Sequence, residues 1–189
     1  ITLARRFCKI IPQIQNMVSS RTKSLDDVAV DFIAKHKEFN IINIGSGYDT
    51  RFWRLDIDMS GGKVYDLDLP VVLSDRKKIF DYSRRENFRT IPIDLIEHDL
   101  ATTITKEKDF NTKLPTLVIW EGGSMYFKDD KINKIFTSIS ELLSNNTKSI
   151  FWFDYVSSCI IENQTNIKEI EDFTRNMSKM GEPFVKGFN

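Results

Sequence analysis

A short run of β-branched and polar residues, Ile41-Ile42-Asn43-Ile44, leads directly into two glycines, Gly45 and Gly47. Such a run is typical of a buried parallel strand, and glycines directly after it let the backbone turn sharply and approach a ligand closely. Asp68 follows 23 positions after Gly45, at the end of a second apolar run. In Rossmann-like folds an acid at about this spacing binds the hydroxyls of a ribose. The pattern therefore predicts a nucleotide-type site at the carboxyl edge of a parallel sheet.

Strand and helix patterns alternate along the chain, which predicts an α/β fold with a doubly wound, mostly parallel sheet and helices on both faces. The predicted strands are residues 39–44, 63–68, 88–93, 116–120 and 149–155. Four of them end at a glycine or an acid: Gly45, Asp68, Asp94 and Glu121. Because ligands of open α/β sheets bind outside the carboxyl ends of the strands, we expect these four residues to line one crevice.

The helices are predicted from apolar spacing and from start and stop signals. Residues 1–38 are expected to form N-terminal helices, one over residues 1–20 and another beginning at a capping-box pattern in Ser24-Leu25-Asp26-Asp27. Further helices are predicted from Val71 to Tyr82, after Pro70, then from Ile132 to Leu143, and over residues 162–180.

Composition excludes several classes of partner. The chain carries 27 basic and 27 acidic residues, so no bulk charge favours nucleic acid or an anionic membrane. No apolar run reaches the roughly 18 residues that a membrane span needs. Cys8 and Cys159 are far apart in sequence, and we expect unpaired, buried thiols and a cytoplasmic location. His36 and His98 lack partners at a useful spacing, so no metal site is predicted.

The glycine pattern alone leaves three interpretations open. The glycines could form only a tight turn. They could also belong to a nicotinamide oxidoreductase. That class of enzyme, however, predicts a third glycine near position 50, where Thr50 and Arg51 stand. Acids at successive strand ends disfavour a pyrophosphate. A ligand with hydroxyls, an aminopurine and an ammonium or sulfonium group fits these residues better.

Four ordered motifs carry a resemblance to a known family: residues 45–55 (GSGYDTRFWRL), 65–70 (YDLDLP), 92–95 (PIDL) and 114–127 (LPTLVIWEGGSMYF). They resemble the leucine carboxyl methyltransferase family, which includes relatives from polyketide synthesis. The resemblance implies S-adenosylmethionine as methyl donor and a Rossmann-like class I methyltransferase fold. The resemblance covers roughly residues 18–160. Because 189 residues are enough for one α/β domain, we expect residues 1–189 to form a single domain that binds this donor.

The resemblance assigns roles to seven residues by position. Arg21 corresponds to the arginine that pairs with the cofactor carboxylate, and Glu121 to the acid near its amino group. Gly45 and Gly47 correspond to the glycine loop under the methionine part. Asp68 corresponds to the acid on the ribose hydroxyls, and Asp94 with Leu95 to the pair at the adenine.

The predicted activity is O-methylation, with no catalytic base, since a carboxylate acceptor is already ionised at neutral pH. Arg51 and Tyr126 are candidates for orienting the acceptor. A protein C-terminus, a small carboxylic acid and a hydroxyl group of a secondary metabolite remain open as acceptors, and the oligomeric state is also open. The family fold closes with a sixth and seventh strand, whereas this chain ends at Asn189. We therefore expect it to be C-terminally incomplete, and the alternative function is a truncated, non-catalytic, methyltransferase-like binding module.

Overall fold

The centre of the fold is a parallel β-sheet with β1 in the middle. A computed structural model describes residues 12–55, 59–80, 86–179 and 181–189. These residues form five strands in the order β3-β2-β1-β4-β5, and every neighbouring pair is parallel. The strands are β1 (Phe39–Ile44), β2 (Gly62–Asp68), β3 (Phe88–Pro92), β4 (Thr116–Trp120) and β5 (Ile150–Phe153). The predicted α/β fold with a parallel sheet is confirmed.

Seven α-helices are formed by the same part of the chain. They are α1 (Pro12–Lys35), α2 (Arg51–Arg54), α3 (Pro70–Lys77), α4 (Leu100–Ile104), α5 (Asp129–Leu143), α6 (Ser158–Ile161) and α7 (Lys168–Lys179), with a short 3-10 helix at Ser124–Tyr126. The short helices α2 and α4 were not predicted. The start of α4 has a local cause, because the Asp99 carboxylate accepts a hydrogen bond of 2.7 Å from the backbone N–H of Thr102.

The sheet is buried on both faces. All six residues of β1 are buried, and alternate side chains of a strand point to opposite faces. Ile42 and Ile44 belong to one apolar cluster, which includes the inner face of α5. Ile41 belongs to the second cluster, which includes Leu25 and Phe32 of α1. The central strand is therefore held between helices, as its nearly continuous apolar run predicts. None of the helices in the described part of the chain combines the length and apolarity needed to cross a bilayer.

The N-terminal prediction is wrong in one respect. Residues 12–35 form the single helix α1, so the capping-box pattern at Ser24–Asp27 lies inside a helix and does not begin one. Asp27 forms an exposed ion pair with Lys23, one helical turn away. A local cap stabilises a helix by only about 1 kcal/mol, and burial of Leu25 and Ala29 against the sheet favours an unbroken helix. Residues 1–11 lie outside the described residues.

The helix predicted over residues 162–180 is present but begins later, since α7 spans Lys168–Lys179. The short helix α6, which precedes the predicted range, was not predicted, and a turn separates it from α7. Asn163 and Asn166 in that turn both have φ of 53°, and asparagine tolerates this left-handed conformation better than most residues do.

Other differences concern element ends and the thiols. Helix α3 ends at Lys77, whereas Tyr82 lies outside the described residues, and β5 is shorter than the predicted 149–155. Cys159 is unpaired but only partly buried, which corrects the expected burial, and Cys8 is not among the described residues.

A buried ionic pair fastens α3 to the sheet. Asp66 on β2 and Arg76 on α3 are both 0% exposed, and Asp66 Oδ2 lies 3.1 Å from Arg76 Nη2. Asp66 Oδ1 accepts a hydrogen bond of 3.2 Å from Asn43 of β1. Burial raises the pKa of Asp66 to about 7, although the charge of Arg76 opposes that rise.

This pKa predicts an unusual dependence of stability on pH. Asp66 in the unfolded chain releases its proton near pH 4, whereas the folded protein retains it up to about pH 7. The contribution of Asp66 to the free energy of unfolding therefore falls as pH rises from about 4 to about 7, by up to ~1.4 kcal/mol per pH unit. In Asp66→Asn this slope is absent. The free energy of unfolding of each protein can be measured in urea at pH 4.5 and at pH 7.0. Between these two pH values, the free energy of unfolding of the variant relative to that of the wild type should rise by on the order of 2–3 kcal/mol.

Asp75→Asn is the matched control for this measurement, because its side chain is half exposed and its ion pair with Lys78 lies on the surface. We expect it to keep the wild-type slope. A wild-type slope in Asp66→Asn would contradict the raised pKa.

Candidate active site

The loop that follows β1 is shaped by its two glycines. Gly45 has φ of 60° and Gly47 has φ of 46°, a left-handed conformation that residues with a side chain rarely adopt. Between them, the buried Ser46 donates its backbone N–H to Leu67 O on β2 at 3.0 Å. The loop thus turns over the carboxyl end of β2 and keeps its backbone open on the outer side.

Asp68 closes β2 beside this loop. Its Oδ2 accepts a hydrogen bond of 2.7 Å from the backbone N–H of Gly47, and its Oδ1 accepts one of 2.7 Å from the N–H of Leu69. Asp68 therefore couples the ends of two neighbouring strands, and its carboxylate remains partly exposed.

An arginine of α1 reaches the carboxyl end of β4. Arg21 Nε donates to Glu121 Oε1 and Arg21 Nη1 donates to Asp154 Oδ2, both at 2.9 Å. Asp154 also accepts a hydrogen bond of 2.5 Å from the N–H of Gly122 through Oδ1. Gly122 has φ of 70°, and a Cβ atom at this position would lie 3.6 Å from Arg21 Nη2. The positive φ would therefore strain a residue with a side chain at position 122, and its Cβ atom would be in van der Waals contact with Arg21.

Arg51, at the start of α2, is the most buried charged group of the site, with 1% exposure. Its Nε donates to Asp26 at 2.7 Å, its Nη1 to Asp49 at 2.6 Å and its Nη2 to Glu121 at 2.9 Å. These three carboxylates belong to α1, the glycine loop and the end of β4. Because each of the three guanidinium nitrogens already has a carboxylate partner, Arg51 is poorly placed to orient an acceptor, and its position favours a role in holding the site together.

The charges in this cluster stabilise one another. Burial alone would lower the pKa of Arg51, but Asp49, Glu121 and Asp26 raise it above its ordinary value. Burial alone would raise the pKa of Asp26, but hydrogen bonds from Arg54 and Arg51 hold it below its ordinary value. Arg51 and Asp26 are therefore both ionised at neutral pH.

Five of the predicted residues line one pocket of about 330 Å³ at the glycine loop: Arg21, Gly45, Gly47, Arg51 and Glu121. Asp68 adjoins it through its hydrogen bond to Gly47. The structure thus brings together a cation, an anion and an open backbone loop, which is an arrangement suited to a ligand with both a carboxylate and an amino group.

The remaining predicted residues lie outside that pocket's lining. Asp94 accepts a hydrogen bond of 2.8 Å from the N–H of Ile96, and Leu95 packs against the core and lines a separate groove beside α5. Tyr126, 37% exposed, donates its hydroxyl to Glu182 at 3.1 Å. Partial burial, with the charge of Glu182, raises the pKa of Tyr126 to about 12, so it is a hydrogen-bond donor at neutral pH.

Asp154 belongs to this cluster and, like Asp26 and Asp49, is not among the site residues predicted from the sequence. It directly follows β5, just as Asp68, Asp94 and Glu121 close or follow their strands. The predicted fifth strand ran to residue 155 and so enclosed it. A correct strand end would have identified Asp154 by the same rule.

The fold and the site together define a class of protein. A candidate methyltransferase from Thermobifida fusca has a similar structure, with a TM-score of 0.72 at 16% identity, over 98% of this chain and 68% of that one. The fold is therefore methyltransferase-like, with the glycine loop and the strand-end acids along the carboxyl edge of its sheet.

The sequence comparisons identify the family. The protein-family model described as "Leucine carboxyl methyltransferase" matches residues 6–140, and the chain belongs to this family. The tetracenomycin polyketide synthesis O-methyltransferase TcmP of Streptomyces glaucescens is 26% identical over 60% of this chain and 38% of its own length. A candidate S-adenosyl-L-methionine-dependent methyltransferase of Mycobacterium sp. (strain KMS) is 28% identical over 75% of this chain and 46% of its own length. The chain thus spans less than half the length of these relatives.

Arg51 and Arg54 both bind Asp26, but we expect the loss of each side chain to lower the free energy of unfolding by a different amount. In Arg51→Met, three partly buried carboxylates lose a partner, and we expect the free energy of unfolding to fall by about 3 kcal/mol or more. In Arg54→Met, a side chain that is 39% exposed loses one ion pair, and the expected loss is below about 1 kcal/mol. Urea unfolding of both variants at pH 7 measures the difference, and equal losses would contradict the central role of Arg51.

Proposed function

We propose that this chain is an S-adenosylmethionine-dependent O-methyltransferase and that residues 1–189 are a single domain binding the methyl donor. The observation that carries the proposal is the meeting of Arg21 and Glu121 at an open glycine loop. Arg21 Nη2 has no hydrogen-bond partner among the described residues, so it can receive a ligand carboxylate. This fits the α-carboxylate and α-amino group of a methionine moiety.

The other strand ends extend the same site. Gly45 and Gly47 present the backbone of the loop to the methionine part. Asp68, at the next strand, is placed for the ribose hydroxyls, and Asp94 with Leu95, one strand further out, for the adenine. This order follows the sheet order β4-β1-β2-β3, so an extended ligand would lie across the carboxyl ends of four adjacent strands.

Methyl transfer requires the side chains mainly to position the donor and the acceptor. When bound, S-adenosylmethionine supplies an electrophilic methyl group on a sulfonium sulfur. The protein contributes by holding donor and acceptor in line, and alignment alone can account for roughly 7–11 kcal/mol of a barrier in the best cases. A carboxylate acceptor is ionised at neutral pH and needs no base. Tyr126 is the remaining candidate for orienting the acceptor, since its neutral hydroxyl can donate a hydrogen bond to an acceptor oxygen.

Support for oxygen as the methylated atom comes from the relatives. TcmP is named as an O-methyltransferase, and the family is named for carboxyl methylation. A small-molecule acceptor and a peptide C-terminus both agree with these names. We place the protein in the cytoplasm and expect neither a nucleic acid nor a membrane partner.

Calorimetry tests the donor site. Wild-type protein should bind S-adenosylmethionine and its product S-adenosylhomocysteine, and Asp68→Ala should bind both at least about tenfold more weakly, since a hydrogen bond to a charged group contributes roughly 1.5–3 kcal/mol. Asp75→Ala, which removes an exposed carboxylate from α3, is the control and should bind like the wild type. Absence of binding by the wild type would contradict the proposal.

The stability of the methylated product in base distinguishes a carboxylate acceptor from a phenolic one. With methyl-labelled donor, a peptide ending in a free leucine carboxylate should give a methyl ester, whose label mild alkali releases as methanol. A phenolic acceptor should instead give a base-stable ether. The same peptide with an amidated C-terminus is the control and should take up no label. Donor binding without transfer to any of these acceptors would favour the non-catalytic binding module.

A further inference from the structure

Asp154 holds both partners of the Arg21–Glu121 pair in place. Its Oδ2 accepts from Arg21 Nη1, while its Oδ1 accepts from the N–H of Gly122, the residue directly after Glu121. One carboxylate thus connects the arginine from α1 to the backbone at the end of β4. Its side chain is only 17% exposed.

Asp154 is itself firmly anchored. The hydroxyl of Ser124, which is fully buried, donates a hydrogen bond of 2.6 Å to the backbone carbonyl of Asp154. The position of the carboxylate therefore follows from β5 before it and from the 3-10 helix that contains Ser124.

The orientation of Arg21 depends on two acceptors at once. Glu121 holds Nε and Asp154 holds Nη1, both at 2.9 Å. A planar guanidinium held at two of its nitrogens has its third nitrogen fixed in direction. That third nitrogen is Nη2, the one proposed to receive the cofactor carboxylate.

We propose that Asp154 is a positioning residue for the amino-acid end of the cofactor, acting through Arg21 and the Gly122 backbone. The inference rests on the proposed function and adds a residue to it. Asp154 has no direct contact with the donor in this assignment. It raises affinity because Arg21 no longer has to be ordered when the ligand binds.

The variant Asp154→Asn tests this with little change in volume. The amide keeps one acceptor oxygen for the Gly122 N–H but directs an NH₂ group towards Arg21 Nη1, which cannot accept a hydrogen bond. Arg21 then loses one of its two fixed partners. We expect the affinity for S-adenosylhomocysteine to fall at least about tenfold, as for the loss of a hydrogen bond between charged groups.

A second ligand separates positioning from general damage to the fold. 5′-Methylthioadenosine has the adenosine and the sulfur but neither the α-carboxylate nor the α-amino group. Its affinity should differ less than twofold between wild type and Asp154→Asn. The control Asp172→Asn, in an exposed ion pair with Arg175 on α7, should bind both ligands like the wild type.

The outcomes are distinguishable. A selective loss of S-adenosylhomocysteine binding supports the inference. Parallel losses for both ligands, or a loss below threefold for S-adenosylhomocysteine, would overturn it and leave the proposed function intact. Failure of the wild type to bind S-adenosylhomocysteine would overturn the proposed function and this inference with it.

Discussion

The ion pairs of the buried Arg51 guanidinium are the interaction on which the carboxyl edge of the sheet depends. The guanidinium joins Asp26 of α1, Asp49 of the glycine loop and Glu121 at the end of β4, three segments that are distant in the chain. Removal of a charge from water is costly, and the cost is offset only when each partner is close and well oriented. The three contacts meet this condition, so Arg51 fixes the positions of the glycine loop, α1 and the end of β4 relative to one another.

A second group of ion pairs, around Arg21, adjoins the group around Arg51. Glu121 accepts from Arg51 through one oxygen and from Arg21 through the other, so the two arginines share it. Arg21 in turn binds Asp154, which extends the chain of contacts from β1 to β5. Arg51 is closed off from water, whereas Arg21 is partly exposed. This difference separates a group that holds the architecture from one that can meet a ligand.

Burial explains which parts of the fold could be predicted from the sequence. The bounds of β1 and β4 match the prediction because both are nearly continuous apolar runs in which every residue is buried. The capping-box pattern failed because tertiary packing along α1 outweighs a local cap. Helix α7 begins later than predicted, after a turn in which two asparagines adopt the left-handed conformation, and the residue type is a weak signal for that conformation. Gly45, Gly47 and Glu121, which the strand ends predicted, do line one pocket. An error in the end of β5 concealed Asp154, and the contacts of Arg51 with Asp26 and Glu121 are long-range ones that the sequence does not show.

The segment that follows β5 differs from the rest in how it is held. Helices α6 and α7 contain no buried residue. The tail attaches through backbone hydrogen bonds, from Val185 to Met125 and from Phe188 to Val156, and through the ring of Phe188, which packs against Phe136 and Phe153. Because this segment has fewer buried side chains than the sheet, its local opening needs less free energy than opening of the sheet. Tyr126 is hydrogen-bonded to Glu182 and packs on Phe184 of this segment, whereas Arg21 and Arg51 are held by Glu121 at a strand end. The proposed acceptor contact therefore depends on a less stable part of the fold than the proposed donor site does.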